Sequence, residues 1–176
     1  MNTFIEQFNF LLGIATIIGQ GILFVLIILF FLKKKNKITA FVQKYIFELL
    51  LLVSGAGTFL SLFYSEVLGE LPCDLCWYQR IFLYPQVIIL AMAKWKKDKS
   101  VLNYSLALSV VGFLIALYHY YIQWGGIALI PCSGDALSSP CAQKTILEFG
   151  YITIPFMSLV SFSMMIVLNL LAKKQK

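Results

Sequence analysis

The chain has 176 residues, of which 60% are hydrophobic and 12% charged, with a mean hydropathy of +0.86. No soluble globular domain needs that much apolar surface, and a multi-pass membrane protein does. The net charge of +6 would suit a nucleic-acid partner, but the lysines cluster at the ends of apolar runs, so no nucleic acid is expected.

The first apolar run covers residues 10–32, with Thr16 and Gln20 as its only polar side chains. At ~1.5 Å per residue it spans the ~30 Å hydrocarbon core. It has no basic n-region and no small-residue cleavage site, and it is too long for a signal peptide. A retained helix is expected. The second run covers residues 45–68, with Glu48 near its start. Ser54, Gly55, Ala56, Gly57 and Ser61 give it a small-residue face suited to close packing. The third, residues 77–93, is the least apolar and contains Arg80, Pro85 and Gln86. The fourth covers residues 101–123 and the fifth 151–172. No soluble domain, low-complexity linker or internal repeat is visible. The expected fold class is all-α, a polytopic membrane helical bundle.

Lysines set the expected orientation. Lys33, Lys34, Lys35, Lys37 and Lys44 lie between the first two spans. Lys94, Lys96, Lys97 and Lys99 lie between the third and fourth, and Lys173, Lys174 and Lys176 follow the fifth. All fall on one side of a five-span arrangement, which the positive-inside rule makes cytoplasmic. The other side has Lys144 as its only lysine, alongside Glu66, Glu70, Asp74, Asp135 and Glu148. The N-terminus is then expected outside, the C-terminus in the cytoplasm, and all four cysteines outside, where disulfides persist.

Cys73 and Cys76 form a Cys-x-x-Cys pair between Pro72 and the third span. At a helix N-terminus, unpaired N–H groups and the helix dipole stabilise a thiolate. Asp74 is the expected N-cap. Arg80 follows Cys76 by one helical turn on the same face. It either holds a thiolate or oxygen-bearing ligand, or snorkels to lipid phosphates as an anchor. The nearby Cys76 favours the first. The pair alone also fits a structural disulfide, or half of a four-sulfur zinc site with Cys132 and Cys141. An oxidising face favours disulfides.

Cys132 and Cys141 follow Pro131 and Pro140 in the outer loop at 124–150, the longest extramembrane segment. Ser133, Gly134, Asp135, Ser138 and Ser139 between them predict a turn-rich hairpin. The spacing can satisfy disulfide geometry. Such a pair reads as a structural staple or as an exchangeable disulfide offered to a soluble dithiol partner. The apolar residues 125–130 are expected to rest in the membrane interface. His119, the only histidine, stands among Tyr118, Tyr120 and Tyr121. It reads as part of an aromatic belt, or as a proton donor or hydrogen-bond partner to a reducible carbonyl near Cys76 and Arg80.

Four segments together resemble the DsbB/BdbC family of membrane thiol:quinone oxidoreductases, most of all its shorter BdbC-type branch. They are Pro72-Cys73-Asp74-Leu75-Cys76-Trp77-Tyr78-Gln79-Arg80-Ile81, then Tyr118-His119-Tyr120, then Pro131-Cys132 through Pro140-Cys141. The last is Phe149-Gly150-Tyr151-Ile152-Thr153-Ile154-Pro155-Phe156. The resemblance covers roughly residues 45–172. It implies a four-helix membrane domain at 45–176 whose outer loop, 124–150, is catalytic. Residues 1–44 would then add an extra N-terminal transmembrane helix and a basic cytoplasmic loop.

The resemblance further implies residence in the bacterial cell (inner) membrane. Cys132 and Cys141 would form the disulfide attacked by a reduced DsbA/BdbD-like thioredoxin-fold thiol oxidase, with Cys132 in the mixed disulfide. Cys73 and Cys76 would hand the electrons to a quinone of the membrane pool, ubiquinone or menaquinone. Cys76 would contact the ring and Arg80 would orient it. A vitamin K epoxide reductase-like protein is a weaker match, because there the loop pair precedes the Cys-x-x-Cys. A non-enzymatic scaffold with structural disulfides leaves Arg80 unexplained. A transporter would carry more intramembrane charge and an inverted repeat.

Overall fold

The computed structural model describes residues 2–32, 37–127 and 140–173. The described residues form six α-helices: α1 (Asn2–Leu32), α2 (Lys37–Lys44), α3 (Ile46–Leu62), α4 (Asp74–Lys96), α5 (Val101–Gln123) and α6 (Ile154–Lys173). A π-helical stretch, Phe63–Val67, continues α3. The expected helical bundle is thus the observed one.

Among the described residues, four segments are long and apolar enough to cross a membrane: Thr3–Leu32, Ile46–Val67, Val101–Gln123 and Ile154–Lys173. α4 has the same length as α5 but not its composition. The reason is packing. Its polar Gln79, Arg80 and Gln86 are buried, whereas Trp77, Ile81, Ile88 and Met92 are exposed. An apolar outer face with polar groups turned inward suits a helix between lipid and protein.

α4 packs between α3 and α5, α5 against α6, and α6 back against α3. This closes a four-helix core, and α1 leans on α6 from outside. Leu50, Leu90, Phe162, Met165 and Leu168 fill the middle. A Cβ on Gly112 would come within 2.4 Å of the Phe162 ring, so the closeness of α5 and α6 depends on that glycine. A polar staple crosses the same layer. Gln86 Oε1 accepts from Ser105 Oγ at 2.8 Å and Ser109 Oγ at 3.3 Å, and Asn169 Nδ2 donates to Ser105 Oγ at 3.3 Å. It ties α4, α5 and α6 together where lipid offers no alternative partners.

Two local expectations change. Part of the expected basic loop is the helix α2, whose Thr39 and Val42 are buried. Its Gln43 Nε2 donates to the Leu171 carbonyl at 3.4 Å. Asp74 is not the N-cap but the first residue of α4, and Cys73 caps the helix with extended backbone (φ −74°, ψ 169°).

The topology separates two ends. The end of the π-helical stretch and the starts of α4 and α6 share one end with the finish of α5. Lys94 and Lys96 end α4 at the other, where Lys94 Nζ pairs with Glu48 of α3 at 3.3 Å.

Candidate active site

Cys73 is the anchor of the site. Its sulfur accepts from the Cys76 backbone N–H at 3.4 Å, so the capping interaction falls on sulfur rather than on a carboxylate. The two Sγ atoms are 2.8 Å apart and unbonded, and both cysteines are free thiols. The i, i+3 spacing on the first turn of α4 stacks them on one face.

His119 approaches from α5 and is almost fully buried. Gln79 Nε2 donates to its Nδ1 at 3.0 Å, so its Nε2 carries the proton. That Nε2 lies 3.5 Å from Cys73 Sγ and 3.2 Å from the Cys141 carbonyl oxygen. The sulfurs of Cys73 and Cys76 and the imidazole nitrogen all lie within 4.8 Å of one another. The hydrogen bond from the Cys76 thiol pulls the Cys73 thiol from 9.0 down to about 5. Burial opposes that pull, and the hydrogen bond from His119 adds to it.

Cys141 is buried beside Cys73, Leu75 and Ile122. It is disulfide-bonded, which takes it out of a four-thiolate zinc set. The helix dithiol and this loop cysteine are therefore in opposite redox states. Cys132 and the hairpin expected around it lie outside the described residues, as do residues 128–130 of the apolar stretch before it. Gln123 Nε2 donates to the Gln143 carbonyl at 3.0 Å, tying the returning loop to the end of α5.

Arg80 is buried rather than extended toward a lipid surface. Its Nε donates to Ser61 Oγ at 2.9 Å and its Nη2 to the Ser61 carbonyl at 3.0 Å. Its guanidinium also lies 4.9 Å from the centre of the Trp77 ring. Tyr84 OH donates to the same Ser61 Oγ at 3.1 Å. Among the described residues no carboxylate lies within ion-pair distance of Arg80.

These groups open onto one cleft that is partly open to the outside. Cys73, Cys76, Arg80 and His119 line its polar side. Leu60, Leu83, Ile154, Met157 and Phe162 line its apolar side. Such a mixture, largely apolar with a few convergent polar groups, is the usual make-up of a small-molecule site. The π-helical stretch turns Tyr64 into it as well. Of the residues expected at the site, Cys73, Cys76, Arg80, His119 and Cys141 converge here.

Ser61, Gln79, Tyr64 and Gln123 were not expected at the site. Gln79 had a signal, since Cys76, Gln79, Arg80 and Leu83 fall at helical spacing on one face. Ser61 had none, because it lies 19 residues from Arg80 and on another helix.

An apolar helical bundle that keeps a free dithiol against an imidazole and a buried arginine defines a class, the integral-membrane proteins with a thiol centre, and the comparisons make that centre a disulfide-forming thiol oxidoreductase. The chain belongs to the DsbB family: the profile described as "Disulfide bond formation protein DsbB" matches residues 43–172. The SPbeta prophage-derived disulfide bond formation protein B of Bacillus subtilis (strain 168) is 43% identical over 140 residues, covering 78% of this chain and 93% of that protein. The probable disulfide formation protein C 1 of Bacillus cereus (strain ATCC 10987 / NRS 248) is 44% identical over 124 residues, covering 70% and 88%. Disulfide bond formation protein C of Bacillus subtilis (strain 168) is 40% identical over 118 residues, covering 66% and 83%. No solved structure matches the chain significantly.

Proposed function

We propose that this membrane thiol oxidoreductase reoxidises a DsbA/BdbD-like thioredoxin-fold thiol oxidase and delivers the electrons to a membrane quinone. The observation that carries this is the shared cleft, in which the dithiol, Arg80 and an apolar wall meet. With α4 counted as a fifth crossing, the cysteines are outside the cell, the C-terminus cytoplasmic and the N-terminus outside. Residues 45–176 form the catalytic unit, and 1–44 are added to it.

The partner's thiolate attacks Cys132, breaking the Cys132–Cys141 bond and leaving Cys141 as the thiolate. The partner's second thiol then displaces Cys132, so the partner leaves oxidised and the loop holds two thiols. Cys141 attacks Cys73 of the Cys73–Cys76 disulfide, which releases Cys76 as a thiolate. Cys132 attacks Cys141 and releases Cys73. The sum moves two electrons and two protons from the partner's dithiol to the helix pair. His119 faces both Cys73 and the Cys141 backbone, so it aligns these two cysteines and stabilises Cys73 as a leaving thiolate.

The cleft fits a quinone. Its walls are apolar, Arg80 offers N–H donors to a carbonyl oxygen, and Gln123 Oε1, a buried acceptor without a partner among the described residues, suits the hydroxyl of the reduced quinol rather than the quinone. A bound ubiquinone or menaquinone supplies an acceptor for two electrons and two protons. Cys76, one turn from Arg80, is the cysteine assigned to face it, and His119 is the proton-bearing group beside it.

Anaerobic mixing of the purified protein with a reduced thioredoxin-fold oxidase and a short-chain quinone tests this. Quinol formation by wild type and not by Cys76→Ser supports the relay. No quinol from wild type removes quinone coupling.

A further inference from the structure

The family profile begins at residue 43, so α1 lies wholly outside it. Even so, α1 reaches the cleft. Leu12 lines it, and Asn9 Oδ1 accepts a hydrogen bond from the hydroxyl of Tyr64, another lining residue. The Phe8 ring packs on Phe63 and Tyr64, with centroids 5.1 and 6.1 Å apart. A Cβ on Gly13 would come within 2.8 Å of the Phe149 ring, so this close approach requires a residue without one. Farther along, Tyr151 OH donates to Gln20 Oε1 at 3.4 Å.

The rest of the helix is different in kind. Leu11, Ile14, Ile18, Phe24 and Val25 are exposed, as side chains against lipid would be. A helix that served only as an anchor would gain nothing from an asparagine at position 9, since an unpartnered amide in lipid is costly. Here the amide is used to fix Tyr64.

We infer that α1 is a wall of the acceptor cleft, and that Asn9 and Leu12 are positioning residues that set how tightly this protein holds a quinone. This rests on the quinone reading above. Leu12 supplies apolar contact from the α1 side, and Asn9 holds the Tyr64 ring at the cleft edge.

The test uses the full chain in lipid nanodiscs. Binding of a short-chain quinone is read by quenching of tryptophan fluorescence, and an azidoquinone is photo-cross-linked and mapped. Leu12→Ala should weaken binding about tenfold. Asn9→Leu should weaken it severalfold, Leu12→Met should restore near-wild-type affinity, and the lipid-facing Ile18→Ala should change nothing. The KM for the thiol partner should stay constant in all four, and cross-links should include the α1 peptide. Wild-type affinity in Leu12→Ala and Asn9→Leu, or cross-links confined to residues 43–172, would overturn the assignment of α1 alone. A wild-type protein that binds no quinone would overturn the quinone reading and this one with it.

Discussion

His119 Nε2 stands 3.5 Å from the Sγ of Cys73, and the same nitrogen is 3.2 Å from the carbonyl oxygen of Cys141. One N–H edge therefore faces a cysteine of the helix pair and a cysteine of the loop. Two thiol centres that exchange disulfides need their sulfurs brought into line, and a group that faces both the helix start and the loop does this without reacting itself.

His119→Phe keeps an aromatic ring and removes the N–H. The exchange between the loop cysteines and Cys73 should slow by about tenfold or more. Quinone reduction started from a protein already reduced at Cys73 and Cys76 should slow much less. Acid-quench trapping of the mixed species separates the two steps. Equal loss in both would show that His119 has no special part in the exchange step.

The low Cys73 pKa has its own signature. Between pH 4 and pH 7, thiolate absorbance of the reduced protein should rise with a midpoint of about 5. The sign follows from the depressed value: the thiolate is favoured above the midpoint and lost as pH falls through it. Cys76→Ser replaces the largest cause with a weaker one, so the midpoint should move up toward 9.0. His119→Phe should move it in the same direction by less.

Arg80 is held by Ser61 through two donors and lies over the Trp77 ring, and lysine cannot copy its two-donor fork. Arg80→Lys should raise the KM for quinone severalfold while leaving the KM for the thiol partner unchanged. Arg80→Ala should do more, and should also leave Ser61 with fewer partners. Steady-state kinetics with each substrate varied in turn decides this.

The bundle was legible from apolar runs and lysine positions, because a helix must span ~30 Å of hydrocarbon and its ends show in the charges. The convergence of Cys73, Arg80 and His119 was legible because each lies near the same end of its run. The cap was not. Asp74 has the stronger intrinsic capping preference, but the helix starts one residue earlier at its sulfur neighbour. α2 was hidden within a lysine-rich stretch, since its Thr39 and Val42 are buried only once α6 is in place. The partners Ser61, Gln79 and Asn9 are set by which helices neighbour one another, which no periodicity encodes.

Gly112 tests how packing and site are joined. Its missing Cβ leaves room for Phe162, which is 1% exposed and also lines the cleft. Gly112→Ala puts a methyl where the ring is, and overpacking of this kind costs about 1–3 kcal/mol. The ring has two ways to yield. It separates α5 from α6, which lowers thermal stability, or it turns into the cleft, which weakens quinone binding. Thermal unfolding and quinone affinity measured on one sample distinguish these routes. Adding Phe162→Leu to Gly112→Ala removes the clash and should recover stability if the helices had separated. Affinity should recover only if the ring had entered the cleft, because a helix separation that spares the cleft leaves affinity unchanged in the single variant.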